Sequence, residues 1–572
     1  MKPNRQFVQK LFMKFFVPAL LSSLGLAIGA VADCVYVGKM LNEDGLYIIG
    51  VASPIYMIFT TWSVALAVGG SIHFSKVLGE GDVTKGRQIF LNTIVGDFVG
   101  LCILSIIGLI FIKPIVNLLG VFPNSQYYEQ TINYVRYMLI SCPILFMQAP
   151  LQYFVHADDN PKLASWALVM GCVFDCVAGY IFIIYMQLGV TGSISSTLVG
   201  AIVMEGICFC HFIFKKGSLR IKTKIHFSIN VIVTSFKTGF ATATQYLYRF
   251  VILLVFNRLL FKISGESAVA IYDISENAVS LVIAVIDGVV LAMLPMVSTF
   301  YGERNKKDIK NCFWISMKIG LIATGIAVVL LSILAPKFCE FLGVSFELIE
   351  AGAFAIRIVV LSSIVACVNN ILATFFQNID LENGSYAIIF AREFIVLLVC
   401  GIVCSNGGFR VFWYAYVISE ILVLIGTVGV IFFRKVVCKK QIIHFDDGAV
   451  FAETFVGSCE KISDTCERLQ EFLEQIGASV KQAYFVALTV DEICRLIAEN
   501  TGDLMLQLTL VDTKEEYILH IRDNAKKFNP LEVNDDDEHG IGLRIVKKQA
   551  KEYYYRQFVG FNTLTMSFAK EG

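Results

Sequence analysis

The sequence predicts an all-α polytopic membrane protein, with twelve transmembrane helices in two six-helix lobes, followed by a C-terminal α/β sandwich domain. Three observations predict it. Of the 572 residues, 56% are hydrophobic and only 16% charged, and the mean hydropathy is +0.68, far from the composition of a water-soluble domain. Apolar stretches long enough to cross a bilayer recur as far as residue 433. Near Ile443 the composition changes, and from Asp446 onward the chain is charged and patterned as a soluble domain is.

A bilayer core takes about 20 apolar residues per helix. Such stretches lie near 14–36, 47–75, 89–112, 131–154, 163–186, 192–214, 229–261, 268–300, 312–335, 349–376, 385–404 and 411–433. The first run begins after Lys14 and continues past Asp33, so it reads as a retained span and not as a secretory signal. Lys and Arg cluster before the first span and after the second, sixth, eighth and twelfth, as in Lys76, Lys85 and Arg87 or Arg304, Lys306 and Lys307. Basic loops stay in the cytoplasm, so both termini are expected there, which requires an even number of spans. The expected boundaries are 1–225 for the first lobe, 226–440 for the second and 446–572 for the soluble tail.

The two halves echo each other. "FSKVLGEGDVTKG" (74–86) follows the second span and "VSTFYGERNKKDI" (297–309) the eighth, each an exit from a long apolar helix into a Gly-containing charged turn. Two six-span bundles in parallel repeat, with a substrate site near the membrane midplane between them, are the natural reading. The stretch "FVPALLSSLGLAIGAVADCVYVG", the turns "LGEGD" and "YGERN", and "GYIFIIYMQLGVTGSISST" (179–197) together resemble the multidrug and toxic compound extrusion family over roughly 1–440. That resemblance implies an antiporter of the plasma membrane that exchanges an H+ or Na+ gradient for export of amphipathic, often cationic compounds.

An ionisable side chain inside a span costs several kcal/mol unless paired or hydrated, so each is a functional candidate. Asp33 in the first span stands where the resembled family carries an ion-coupling Asp. Asp175 in the fifth span is expected to act with it; relatives place their carboxylate at the position of Gly179, one turn along the same face. In the eighth span Asp273, Glu276, Ser280 and Asp287 share one helical stripe, and Glu276 and Asp287 are the expected cavity residues. Asp97, Arg136, Glu205, Arg392, Glu393 and Glu420 are further polar intrusions, with adjacent Arg392 and Glu393 expected to pair with other helices. The seventh span offers Gln245 and Arg249 but no acid, so ion coupling is expected in the first lobe.

The sixteen cysteines are scattered through apolar stretches without metal-ligand or disulfide spacing, and no metal site is expected. Net charge is zero, and nothing points to nucleic acid.

In the tail, Val486, Val490, Ile493, Cys494 and Ile497 mark one helical face, while "LMLQLTLV" and "EYILHIRD" alternate as half-buried strands do. The tail resembles the histidine-kinase-like ATPases, most closely the anti-sigma serine kinases. The resemblance implies Glu492 as general base, Asp523 as the adenine-binding acid, and Gly540 and Gly542 of "DEHGIGLRIV" as the lid over the phosphates. Two departures follow from it. Leu496 stands where the family has its Mg2+-holding Asn, and Ala525 where it has Gly. A leucine offers no oxygen to a hard cation, so ATP binding is an open possibility for the tail while Mg2+ and catalysis are not expected. No GxxxxGK[ST] occurs, so transport is not expected to be ATP-driven.

The expected protein is therefore a secondary transporter and not an enzyme, with a degenerate ATPase-like tail that regulates it or binds a cytosolic protein. Two alternatives stay open: a receptor signalling through an anti-sigma-like tail, and a flippase for lipid-linked precursors.

Overall fold

The computed structural model describes residues 3–570 apart from 41, 120, 159, 215–218, 220–225, 343–345, 437–442, 444–449, 500–503, 514, 527, 533–545, 548 and 559–560. The side chains of 3, 28, 30–47, 266, 435 and 556–558 also lie outside that description. So do most of the basic residues expected after the sixth and twelfth spans.

The first half comprises α1 (Pro3–Met40), α2 (Asn42–Gly79), α3 (Val83–Ile110), α4 (Ile112–Leu118), α5 (Tyr128–Leu145), α6 (Gln148–Ala157), α7 (Pro161–Gly179) and α8 (Val190–Ile213). The second comprises α9 (Ile229–Ser264), α10 (Glu266–Gly302), α11 (Lys306–Phe341), α12 (Ile349–Asn378), α13 (Glu382–Phe390), α14 (Val396–Ser405), α15 (Phe409–Phe412) and α16 (Tyr414–Val436). Eleven segments among the described residues are long and apolar enough to cross a membrane. The expected seventh span, α9, is a helix of 36 residues. Gln245, Arg249 and Arg258 lower its hydropathy, which is why length and not composition identifies it.

The halves are related as the sequence echo predicts. α2 runs along α9 and α1 along α10, so the first and second helices of each half exchange partners. The two echoing turns are built alike. After Gly79 comes Gly81 at φ +88°, then Asp82, whose side chain caps α3 by accepting from the Lys85 N–H at 2.8 Å. After Gly302 comes Arg304 at φ +53°, then Asn305, which caps α11 by accepting from the Asp308 N–H at 3.2 Å. Both caps satisfy a helix N–H that would otherwise lack a partner.

At this tail-bearing end the helices touch backbone to backbone. A Cβ on Gly79 would fall 2.2 Å from the Thr299 carbonyl oxygen, and one on Gly302 would fall 2.1 Å from that of Lys76. Deeper in, a Cβ on Gly69 would meet the Ser235 oxygen at 1.8 Å, and one on Gly239 the Ala65 oxygen at 1.9 Å. Only glycine permits such approach, the usual way helices close on each other in lipid. Polar groups tie the same seam: Lys76 pairs with Asp380, Thr238 with Glu382, and His73 Nε2 lies 2.9 Å from Thr238 Oγ1.

The tail is an α/β sandwich, as expected. Strands β1 (Val450–Val456), β2 (Met505–Asp512), β3 (Glu516–Asp523), β4 (Glu552–Phe558) and β5 (Phe561–Ala569) form one antiparallel sheet in the order β1-β2-β3-β5-β4. Helices α17 (Cys459–Gln475) and α18 (Val480–Glu499) cover one face. There Leu506, Leu508, Leu519, Ile521 and Met566 pack on Leu469, Val486, Val490, Ile493 and Ile497, the helical face expected from sequence. Successive strand residues point to opposite sides, and the second face carries Gln507, Thr509, His520, Arg522 and Thr563. The alternation predicts that face to be wet. Instead all five are at most 3% exposed, because the face is pressed onto the helical bundle.

Candidate functional site

Asp33 lies on α1, and its side chain is outside the described residues. The backbone still places its position. Gly25 and Gly29 face α7 at Leu168, Val169 and Cys172. Residue 33 comes one turn further along the same stripe. Asp175 occupies the next turn of the facing helix. It is half-buried against the hydroxyls of Ser196 and Thr197 on α8, and Gly200 allows α8 to approach it, since a Cβ there would lie 2.9 Å from the Asp175 Cβ. One Asp175 oxygen is buried without a hydrogen-bond partner, and no ion pair involves it among the described residues.

Asp97 on α3 is a second unmatched acid of the first half. It is fully buried, and the hydroxyl of Ser63 lies 3.2 Å from one carboxylate oxygen and 2.7 Å from the Phe146 carbonyl. Its other oxygen has no hydrogen-bond partner among the described residues. Glu205 on α8 is within electrostatic reach.

In the second half Glu276, Asp287, Glu393 and Glu420 stand near arginines. In the middle of α10, Asp287 is exposed while Val285, Ile286, Gly288 and Val289 around it are buried, and Arg249 on α9 stands within electrostatic reach of it. Tyr153 of α6 and Tyr246 of α9 lie close by, so residues of both halves converge there. Glu276, on the same α10 stripe, accepts a 2.8 Å hydrogen bond from the Tyr416 hydroxyl. Arg249 donates to Glu393 at 3.3 Å. Arg392 donates from Nε to Glu420 at 2.6 Å and from Nη1 to Asn370 at 2.8 Å, and Nη1 lies 2.9 Å from Glu393. Arg392 and Glu393 sit on a π-helical turn, residues Ala391–Ile395, which lets two adjacent charged side chains both turn inward. The expectation that this pair binds other helices is borne out, to α9 and α16.

Sequence reasoning missed the tyrosines that meet the charges, Tyr153, Tyr246 and Tyr416. Their only signal was a hydroxyl-bearing aromatic inside a span, a feature that many packing positions share.

In the tail, Asp523 ends β3 and is 2% exposed. One of its oxygens accepts from the Asn562 side-chain amide at 2.7 Å and from the Ala525 N–H at 2.9 Å. Tyr555 fixes Asn562 from the other side, its hydroxyl donating to the Asn562 oxygen at 2.7 Å. Burial raises Asp523 to a pKa of about 6, although these two donors pull it down. Glu492 lies half-buried on α18, and Leu496, one turn on, is in the apolar core. The residues at the Mg2+ position therefore do not fit a hard cation, and no group of three or more His, Cys, Asp or Glu suited to a metal occurs among the described residues. Gly540 and Gly542 lie outside the described residues.

The bundle and the tail each match a known family. The MatE family model matches residues 18–181 and again 238–402, once in each half. The histidine kinase-like ATPase domain model matches 455–568. The multidrug export protein MepA of Staphylococcus haemolyticus is 19% identical over 412 residues, covering 72% of this chain and 90% of its own length. MepA of Staphylococcus aureus (strain MW2) is 19% identical over 431 residues, covering 75% and 94%. Among solved structures, the outward-facing conformation of a multidrug resistance MATE family transporter of the MOP superfamily superposes with a TM-score of 0.70 at 18% identity, over 76% of this chain and 97% of that one. A MOP superfamily transporter from Pyrococcus furiosus, described as having a binding pocket of reverse polarity, gives 0.68 at 19% identity over the same shares. With both halves matched by one family and the tail by another, the chain belongs to the MatE family of multidrug efflux transporters and carries a histidine kinase-like ATPase domain behind its helical bundle.

Proposed function

We propose that the chain is a secondary active antiporter of the plasma membrane, exporting organic, often cationic and amphipathic compounds in exchange for H+ or Na+, with both termini in the cytoplasm. The observation that carries this reading is a charge asymmetry between the halves. Arg249 and Arg392 answer the acids of the second half. Asp175, half-buried against α8, has no such partner among the described residues. A carboxylate held in lipid without a fixed counter-charge calls for a mobile one, and a proton or Na+ supplies it. Asp33 and Asp175 are the proposed coupling pair, and Asp287 and Glu276 the proposed cavity acids. Because Arg249 stands within electrostatic reach of Asp287 where the halves converge, the polarity there is mixed, which supports a cationic or zwitterionic cargo over the polyanionic headgroup of a lipid-linked precursor.

The tail is proposed to regulate export, by nucleotide or by a cytosolic protein partner. Glu492, Asp523, Gly540 and Gly542 are the proposed nucleotide residues, with neither Mg2+ nor hydrolysis involved. The relatives named multidrug export proteins favour the exporter over a receptor.

The test is export of a fluorescent cationic dye from proteoliposomes with an imposed H+ or Na+ gradient. Export that rises with one inward gradient and stops when it is dissipated is expected. Export indifferent to both gradients would end the antiporter reading.

A further inference from the structure

The second face of the tail's sheet does not simply rest on the bundle; it straddles the seam between the halves. On the side of the second half, Arg522 of β3 pairs with Glu303 in the α10–α11 turn, both at most 3% exposed. Gln507 of β2 joins this pair to α11. Its amide donates to Asp308 at 2.7 Å, and its oxygen accepts from Arg522 at 3.2 Å. Asn305, the cap of α11, also donates to Asp308, at 2.8 Å, and lies 3.4 Å from Thr509 of β2. The Arg522 guanidinium stands 5.4 Å from the Phe300 ring centre.

On the side of the first half, Gly81 of the α2–α3 turn lies beneath Thr565 and Ile518, where a Cβ would sit 3.0 Å and 3.9 Å from their methyl carbons. Phe7 of α1 packs edge-on against Phe561 at 4.8 Å, and Lys14 stands 4.3 Å above the same ring. A cleft of about 400 Å³, lined by Arg87, Glu516 and Lys551, remains beside the α2–α3 turn. The sheet thus touches both halves, through the Arg522–Glu303 pair and the Gln507 and Asn305 hydrogen bonds on one side and through Gly81, Phe7 and Lys14 on the other.

These two turns are the ones whose glycines, Gly79 and Gly302, meet backbone to backbone. Opening the bundle at this end has to part them. A sheet fixed to both cannot follow both.

We propose that the tail is a clamp: docked through Arg522–Glu303, it holds the tail-bearing end of the bundle closed, and the bundle opens there only when the sheet gives up one of the two turns. The proposal deepens the antiporter reading, since closure at this end alternates with cargo entry. It also names what a ligand or partner of the tail would control.

The experiment reads accessibility and not export, so its failure is separate from failure of the antiporter reading. Ser235 is buried at the α2–α9 seam, with its carbonyl against Gly69. In the full chain carrying Ser235→Cys, labelling by a membrane-impermeant maleimide from the tail-bearing side of inside-out vesicles is followed at that residue by peptide mass spectrometry. With the native clamp, labelling is slow. Arg522→Glu, which sets two like charges face to face, is expected to raise the rate about tenfold by shifting population to the open state. Glu303→Gln, which keeps the shape, gives a smaller rise. Glu303→Arg combined with Arg522→Glu restores slow labelling, a rescue that general misfolding would not give. Parent-like rates in both single variants, or a charge swap as fast as Arg522→Glu alone, overturn the clamp.

Discussion

Arg522 and Asp523 are consecutive residues of β3, and the strand sends them to opposite faces. The guanidinium reaches the bundle, while the carboxylate turns to the side covered by α17 and α18. One strand end therefore carries both the contact to the transporter and the acid of the proposed ligand site. Asp523 also makes a pH prediction. Its folded pKa is about 6 because of burial, against roughly 3.9 when unfolded. The folded state holds the proton longer, so this group's contribution is fully present below pH 4 and is lost as pH rises through about 6. Asp523→Asn should flatten that slope and stabilise the tail at neutral pH by roughly 2–3 kcal/mol. Hydrogen exchange of the β3 amides in the full chain, corrected for intrinsic rates, checks it; equal pH slopes in parent and variant would refute the assignment. In the bundle, Asp33→Asn and Asp175→Asn should each abolish gradient-dependent export, and Asp175→Asn should do so without lowering the melting temperature, since Asp175 has no ion pair among the described residues. Gradient-driven export persisting in both variants would remove them from the mechanism.

At the scale of elements, glycine placement decides where helices meet. Gly239 on α9 lies against α2, and any side chain there must displace the Ala65 carbonyl. Gly239→Val is expected to cost about 1–3 kcal/mol or more by overpacking. Gly325→Val on α11, where nothing lies within 4 Å of the added carbon, should be silent. Melting in detergent compares them, and equal losses would mean that the α2–α9 contact is not a tight one. The echo between "LGEGD" and "YGERN" was legible in the sequence, down to the two capping residues, because caps act within one turn of chain. The backbone contact between the turns was not legible, since it depends on a partner more than two hundred residues away. The π-helical turn at 391–395 was equally hidden: the sequence offered two adjacent charges, and only neighbours on α9 and α16 made burying both favourable.

For the whole molecule, the asymmetry of matched and unmatched acids gives the antiporter its proposed direction of coupling, and the tail gives its proposed control. Deleting 446–572 removes the clamp and leaves the proposed coupling acids in place. The truncated chain should therefore still export under a gradient, with Ser235→Cys labelled faster than in the full chain. Loss of gradient-driven export from a truncated bundle that still melts cooperatively would make the tail part of the transport machinery and not its regulator.

The sequence by itself determined the spans, the internal repeat, the C-terminal sandwich and the absence of an oxygen ligand at position 496. These rest on hydropathy, short-range periodicity and side-chain chemistry, which are properties of local chain. Tertiary structure alone decided which charges are paired and which surface of the tail is hidden. A strand of alternating polar and apolar residues specifies two faces but not what covers them. Gln507, Thr509 and Arg522 look like a wet surface until Glu303, Asn305 and Asp308 arrive from another part of the fold. Burying those groups is favourable only because each finds a hydrogen bond or an opposite charge across the interface, and such complementarity between distant segments is not written in either segment alone.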